Sequence, residues 1–426
     1  MKSKKVLIIA YYWPPAGGPG VQRWLKFVKY LPNFGIEPVV FVPENASYPI
    51  TDDSLINDIP ESLEILKLPI KEPYALAAIL SKKRTGTLAS GVISEERKQS
   101  FIEKVLLFVR GNLFIPDARV SWVRPSVIFL QDYIANHHID TIVTTGPPHS
   151  LHLIGEQLKQ KTKLKWVADF RDPWTTIGYH KALKLIGYAN RKHEKLEKKV
   201  LNQADQIIVT SRKTQAEFQT KTDKPVTVIT NGYDVYKRTS QPKDEKFTLA
   251  HIGSLLSKRN PVLLWKVLKE LILEDDAFKA NFKLRLAGVV SDEVIGSLEE
   301  HELLSYVEQL GYVSHTKAQE LQQTARVLLL LEIDSEDTKA IIPGKLFEYM
   351  VSETPILAIG PEDSDVENLI NTTNTGLYAV AGDTDGMKCL ILSYFRQFQN
   401  GELKSHPIGL AQFSRKTLTK KLADLL

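Results

Sequence analysis

Lys345 and Glu348 stand one helical turn apart in TKAIIPGKLFEYM, residues 338–350, just after Pro343-Gly344. A Pro-Gly pair ahead of Leu346, Phe347 and Met350 at helical spacing predicts a helix start there. The first N–H groups of a helix have no partner inside it, and its dipole favours an anion. Gly344 lets a ligand approach the backbone, and Lys345 adds a full positive charge. Glu348 lies on the same face as Lys345. A phosphate at the helix start, with a hydroxyl-rich ribose beside Glu348, would satisfy all of these groups. A surface Lys–Glu pair on an ordinary crossover helix would also account for them, and this stretch alone leaves both readings open.

Other residues of the same kind sit at expected strand ends. Gly17, Gly18 and Gly20 lie in PPAGGPG, residues 14–20, after an apolar run. They either bring backbone amides near phosphates or an acceptor, or simply turn the chain; the loop is not the dinucleotide fingerprint. His149 falls where a strand gives way to a helix, the ligand edge of a parallel sheet. DFRDPW, residues 169–174, closes another strand. Asp169 is placed to orient an acceptor hydroxyl, and Arg171 to pair with Asp172 or with phosphate; an internal Arg–Asp ion pair that orders the loop is the other reading, and the two are compatible. Gly253-Ser254 follows a further strand, and Arg259 offers a planar fork for phosphate oxygens. Asp383-Thr384-Asp385 resembles an Asp-x-Asp metal motif but directly precedes a helical pattern, so it reads as a helix cap and no divalent metal is expected.

The elements that must position these groups alternate strand and helix along most of the chain. Strands are expected at 6–13, 38–42, 141–144, 165–168, 206–210, 226–229, 247–252, 283–287, 307–313, 327–333 and 356–360. Residues 343–353 form the helix between the last two, so those strands are parallel. Helices are also expected at 21–31, 151–158, 387–398 and 411–425. Residues 75–122 break the alternation and read as a helical insertion, with the cluster Lys82-Lys83-Arg84 and a helix from about 95 to 114. Residues 180–202 read as one basic amphipathic helix, either a solvated face or a surface for anionic lipid.

At 426 residues the chain is too long for one ordinary core. The division expected is an N-terminal domain, 1–240, a C-terminal domain, 241–408, and a last helix, 409–426, returning to the first. Apolar content of 43% is that of a globular protein. The single cysteine, Cys389, excludes an internal disulfide and fits a reducing, cytoplasmic compartment. The apolar run near the N-terminus breaks at Pro14-Pro15 and reads as a first strand rather than a leader. A net charge of +5 suits an anionic ligand or an anionic membrane face, and argues against nucleic acid as partner.

The segment around Glu348 resembles the donor-binding segment of retaining glycosyltransferases of family 4, which have the GT-B fold. Their Glu-x7-Glu pattern ends at Glu348 here, and its first glutamate falls on Ala340. PP-x-x-GG at 14–18 and DFRDPW are further patterns shared with members of that family. The resemblance implies an α/β, GT-B architecture: two Rossmann-like domains facing a cleft, binding a nucleotide-diphosphate sugar and a glycan or lipid-linked acceptor, with no other cofactor. It implies that Glu348 holds the ribose, that Gly253, Arg259 and Lys345 grip the diphosphate, that Val313 and Ser314 lie near the base, and that His149 contacts the sugar. The family's arginine after the first glycine is replaced by Ser254. The activity implied is retaining sugar transfer in cell-surface polysaccharide synthesis. A nucleotide-sugar-binding scaffold and a sugar-nucleotide epimerase are the alternatives.

Overall fold

The computed structural model describes residues 4–72, 101–181, 183–234 and 240–426. The cluster Lys82-Lys83-Arg84 and the first part of the expected insertion lie outside them. The chain divides into two compact units, Met1–Asn231 with Arg415–Leu426, and Gly232–Ser414.

The sheet of the first unit is built from β1 (Lys4–Ile9), β2 (Ile36–Pro43), β3 (Glu64–Leu68), β4 (Thr141–Gly146), β5 (Lys165–Phe170), β6 (Gln206–Val209) and β7 (Val226–Val228). Their order is β3-β2-β1-β4-β5-β6-β7, and every pairing is parallel. In β1 Leu7 and Ile9 join one core cluster while Val6 and Ile8 join the other. A central strand buried on both faces has to read as a continuous apolar run, which is why it is conspicuous in sequence. The helix Pro19–Tyr30 buries Val21, Trp24, Leu25 and Val28, the stripe its spacing predicts. Arg415–Leu425 packs Leu418 and Leu422 into the same cluster, and full burial of Leu422 contributes about 2 kcal/mol.

Two helices, Gly178–Lys181 and Gly187–Gln203, replace the single basic helix expected over 180–202. Lys184 between them takes a left-handed conformation, φ 50°, which an α-helix cannot accommodate. The break frees the Ile186 N–H to donate to Asn112 Oδ1 at 2.8 Å, tying it to the helix Phe101–Leu113.

The second unit carries β8 (Phe247–Ile252), β9 (Phe282–Ala287), β10 (Val307–Gly311), β11 (Val327–Leu331), β12 (Ile356–Gly360) and β13 (Gly376–Val380). Their order is β10-β9-β8-β11-β12-β13, again parallel throughout. Along β11, Val327, Leu329 and Leu331 face one cluster and Leu328 and Leu330 the other. The helix Gly344–Val351 lays Leu346, Phe347 and Met350 into the second of these. This arrangement leaves the carboxyl ends of β8, β11 and β12 side by side, with the start of that helix close to the end of β8.

Candidate functional site

The site is built from the end of β8 outward. Gly253 follows the strand with φ +124°, and a Cβ there would stand 2.6 Å from Lys345 Nζ. Gly288, after β9, has φ +130°, and its Cβ would meet the Gly253 carbonyl at 2.6 Å. Both positions therefore have to be glycine: the two loops touch through bare backbone, and the lysine ammonium lies against one of them.

Lys345 Nζ is 3.3 Å from His251 Nε2, and His251 Nδ1 is 3.1 Å from the Leu329 carbonyl. A carbonyl only accepts, so Nδ1 carries the hydrogen and Nε2 is left to accept from the ammonium. Burial and the neighbouring Lys345 charge hold His251 well below 6.5, hence neutral. Burial, reinforced by Arg259, brings Lys345 down to about 7. Lys345 is only partly exposed, with its ammonium turned inward. Burial also lowers Arg259, with Glu332 opposing the shift, and its Nε is buried with no hydrogen-bond partner. The helix of Lys345 begins after Pro343 with no side-chain cap and no acidic residue in its first turn. Among the described residues neither Lys345 nor Arg259 forms an ion pair, although Glu348 and Glu332 are near enough to oppose their shifts, and the uncapped helix start lies beside the lysine, an arrangement suited to a diphosphate.

Glu348 lies one turn along. His315 Nε2 is 3.2 Å from its Oε1, and Gln322 Nε2 donates to its Oε2 at 3.2 Å. Ser314 caps the helix of His315 by accepting from the Lys317 N–H, and Val313 packs against the cluster beneath Glu348's helix. Val313, Ser314 and Glu348 are therefore grouped in this part of the unit, while Ser254 is exposed just past Gly253. Sequence reading missed His251, His315, Gln322 and Glu332. A histidine inside an apolar strand, and a glutamate that ends one, were the available signals.

In the first unit, Gly18 caps the helix Pro19–Tyr30 with φ +103°, and the Gly17 N–H donates to the Ile50 carbonyl at 2.9 Å. Gly20 leaves the space that Arg171 fills, and Arg171 donates to the carbonyls of Gly146 and Pro147. Asp169 is completely buried: Arg23 Nη2 donates to it at 2.9 Å, and Trp24 Nε1 and Thr145 Oγ1 each donate at 2.8 Å. The expectation that Asp169 orients an acceptor is corrected on this point: its oxygens are taken up by an internal ion pair that locks β5 to the helix Pro19–Tyr30. His149 is buried and neutral, stacked on Trp174 at 4.7 Å, and neither ring nitrogen has a partner. Asp383 accepts from the Gly386 N–H at 2.9 Å and caps its helix. Among the described residues no group of His, Cys, Asp and Glu could hold a metal ion, and no helix is long and apolar enough to cross a membrane.

Residues 89–237 match the family model described as Glycosyltransferase Family 4. No curated protein sequence matches the chain. Solved structures similar to it over nearly its whole length include sucrose-phosphate synthase from Thermosynechococcus elongatus, at 14% identity and TM-score 0.62, covering 99% of this chain and 98% of that one. HepE of Anabaena in complex with UDP is 13% identical with TM-score 0.57, over 99% and 95% of the two chains. WaaG, a glycosyltransferase involved in lipopolysaccharide biosynthesis, is 13% identical with TM-score 0.55, over 99% of each. At such identities the structural likeness is one of fold. The GT-B fold expected from the sequence is shown, and the family 4 resemblance stands on the first match together with that fold.

Proposed function

We propose that this GT-B chain transfers a sugar, with retention, from a nucleotide-diphosphate donor to a glycan or lipid-linked acceptor in cell-surface polysaccharide synthesis. The observation that carries the reading is that Lys345, at an uncapped helix start, lies against the glycine turn after β8, with Arg259 near enough to depress it and Glu348 one turn away. In this reading the diphosphate lies against Lys345, Arg259 and the amides after Gly344, and Glu348 takes the ribose hydroxyls. The sugar–phosphate bond breaks as the acceptor oxygen attacks, and the leaving phosphate takes the acceptor proton. The protein then has to supply charge stabilisation rather than a nucleophile. His149, a neutral ring with two unpartnered nitrogens, is the first-unit candidate for a sugar hydroxyl. No metal is required, since the two cations neutralise the leaving group.

A thermal-shift screen over UDP, GDP and their hexose conjugates tests the donor. UDP comes first, because a protein of the same fold was solved with it. Stabilisation by at least one diphosphate is expected, and none by any of them would refute the site. Transfer that survives EDTA and keeps the donor's anomeric configuration would support the rest. One observation favours a second reading, a nucleotide-sugar-binding scaffold: Ser254 and Ala340 stand where the resemblance expects an arginine and a glutamate. Binding with neither transfer nor donor hydrolysis would select it. An isomerised donor recovered without acceptor would select an epimerase.

A further inference from the structure

The chain lacks a carboxylate at position 340, yet the second unit holds another one at the carboxyl edge of its sheet. Glu332 directly follows β11, between the ends of β8 and β12. Its Oε1 is engaged, 2.7 Å from Tyr378 OH, which the Pro361 carbonyl at 2.8 Å shares, and 3.1 Å from Ser364 Oγ. Its Oε2 is buried with no hydrogen-bond partner. Gly360, at the end of β12, makes the room: a Cβ there would stand 2.3 Å from Glu332 Oε1 and 2.6 Å from Tyr378 OH.

The environment of the unpartnered oxygen is specific. Arg259 is close enough for each side chain to shift the other's titration, but the two form no ion pair. Arg259 Nε is itself buried and unpartnered. A buried acceptor and a buried donor are each costly when left unmet. One ligand that presents an acceptor to the arginine and a donor to the glutamate would satisfy both. A sugar diphosphate has this pattern, phosphate oxygens beside ring hydroxyls. In the donor-site reading the diphosphate lies against Lys345 and Arg259, and the sugar it carries is the group left for Glu332.

We propose that Glu332 receives a hydroxyl of the donor sugar through Oε2, and so carries the sugar-recognition role that position 340 leaves vacant. This rests on the donor-site reading above and adds to it the residue that reads the sugar. Tyr378 and Ser364 hold the carboxylate in one orientation, as a recognition group requires. Burial raises the Glu332 carboxyl to about 7, and a hydroxyl donated to Oε2 would favour the charged form.

Calorimetry and transfer assays on wild type, Glu332→Gln and Tyr378→Phe test it, using UDP, GDP, UDP-glucose, UDP-N-acetylglucosamine and GDP-mannose. Glu332→Gln can still accept from Tyr378 and Ser364 but presents an amide where Oε2 was. The expected result is unchanged affinity for the free diphosphate, with affinity for its sugar conjugate and the transfer rate reduced about ten- to a hundredfold, as for a lost bond to a charged acceptor. Tyr378→Phe, which loosens the carboxylate without removing it, should fall in between. If Glu332→Gln weakens free diphosphate as much as the conjugate, or changes neither, the assignment is overturned while the donor site stands. If wild type binds no diphosphate, the donor-site reading fails and this assignment with it.

Discussion

Lys345 has a folded-state value of about 7, against 10.5 for an ordinary lysine, because its ammonium is buried beside Arg259 and against a neutral imidazole. Above that value the free protein holds Lys345 largely uncharged. A bound diphosphate brings further opposite charge to the ammonium and restores it, so binding takes up a proton. The sign follows: affinity is greatest at or below the free value and falls as pH rises through it, by up to tenfold per unit. At about pH 9, two units above the free value, the loss reaches about a hundredfold, or about 2.7 kcal/mol. The terminal phosphate has its own second ionisation near pH ~6, so the informative window lies above about pH 7.5. Calorimetry with UDP, or whichever diphosphate the screen selects, in buffers of different ionisation enthalpy counts the proton directly. Uptake should rise from about one half near pH 7 to about one near pH 9. Lys345→Met should bind more weakly near neutrality and show no uptake in this window. Flat affinity with no uptake in wild type would refute the reasoning: the lysine would then be charged in the free site, or would not touch the phosphates.

Three further outcomes are expected. Glu348→Ala should weaken diphosphate binding about ten- to a hundredfold; unchanged calorimetric affinity, with the fold intact by circular dichroism, would count against Glu348 as the ribose ligand. Neutralising Lys192, Lys195, Lys198 and Lys199, all exposed on Gly187–Gln203, should lower co-sedimentation with phosphatidylserine vesicles at low salt, by up to about 1 kcal/mol per lysine; if wild type does not co-sediment, the membrane reading fails. Acid should destabilise the first unit, because burial holds the completely buried His152 at about 3 against an ordinary 6.5. Its contribution is full above 6.5 and is lost as pH falls from there towards 3, so at about pH 5 it alone costs about 2 kcal/mol. Urea unfolding of wild type and His152→Gln at both pH values checks this; equal pH dependence in the two would refute it.

The parallel sheets were legible because their central strands are buried on both faces. VLLLL and KKVLII announce themselves by composition, and the glycine and proline turns between them mark the crossovers. Two of the four edge strands, β3 and β13, were harder to see. EILKL, residues 64–68, is half exposed and has no such run, and GLYAV, residues 376–380, is only partly buried. The basic helix was misjudged for a local reason: charge periodicity does not register one residue, Lys184, that takes a left-handed conformation.

The candidate site divides along the same line. Lys345 and Glu348 were legible because one helix carries both and local spacing places them together. Asp169 misled because a carboxylate at a strand end looks the same in sequence whether it faces solvent or an arginine 146 positions away. Glu332 and His251 were invisible for the converse reason. Each is a polar residue at or near the end of an apolar strand, and each acquires meaning only when β8 and β11 lie side by side and bring Lys345 and Arg259 against them. Local periodicity can identify which residues share one helix face, but not which partner a neighbouring strand supplies. Perturbed protonation is the trace of that second kind of information. Lys345 and Glu332 both sit near 7 from opposite starting points, a lysine lowered and a glutamate raised, because burial makes charge costly on each. Structural ion pairs relieve that cost internally, as Arg23 does for Asp169. Here the groups stay apart, and the simplest species that relieves both is one that brings anionic oxygens to the lysine and hydroxyls to the glutamate.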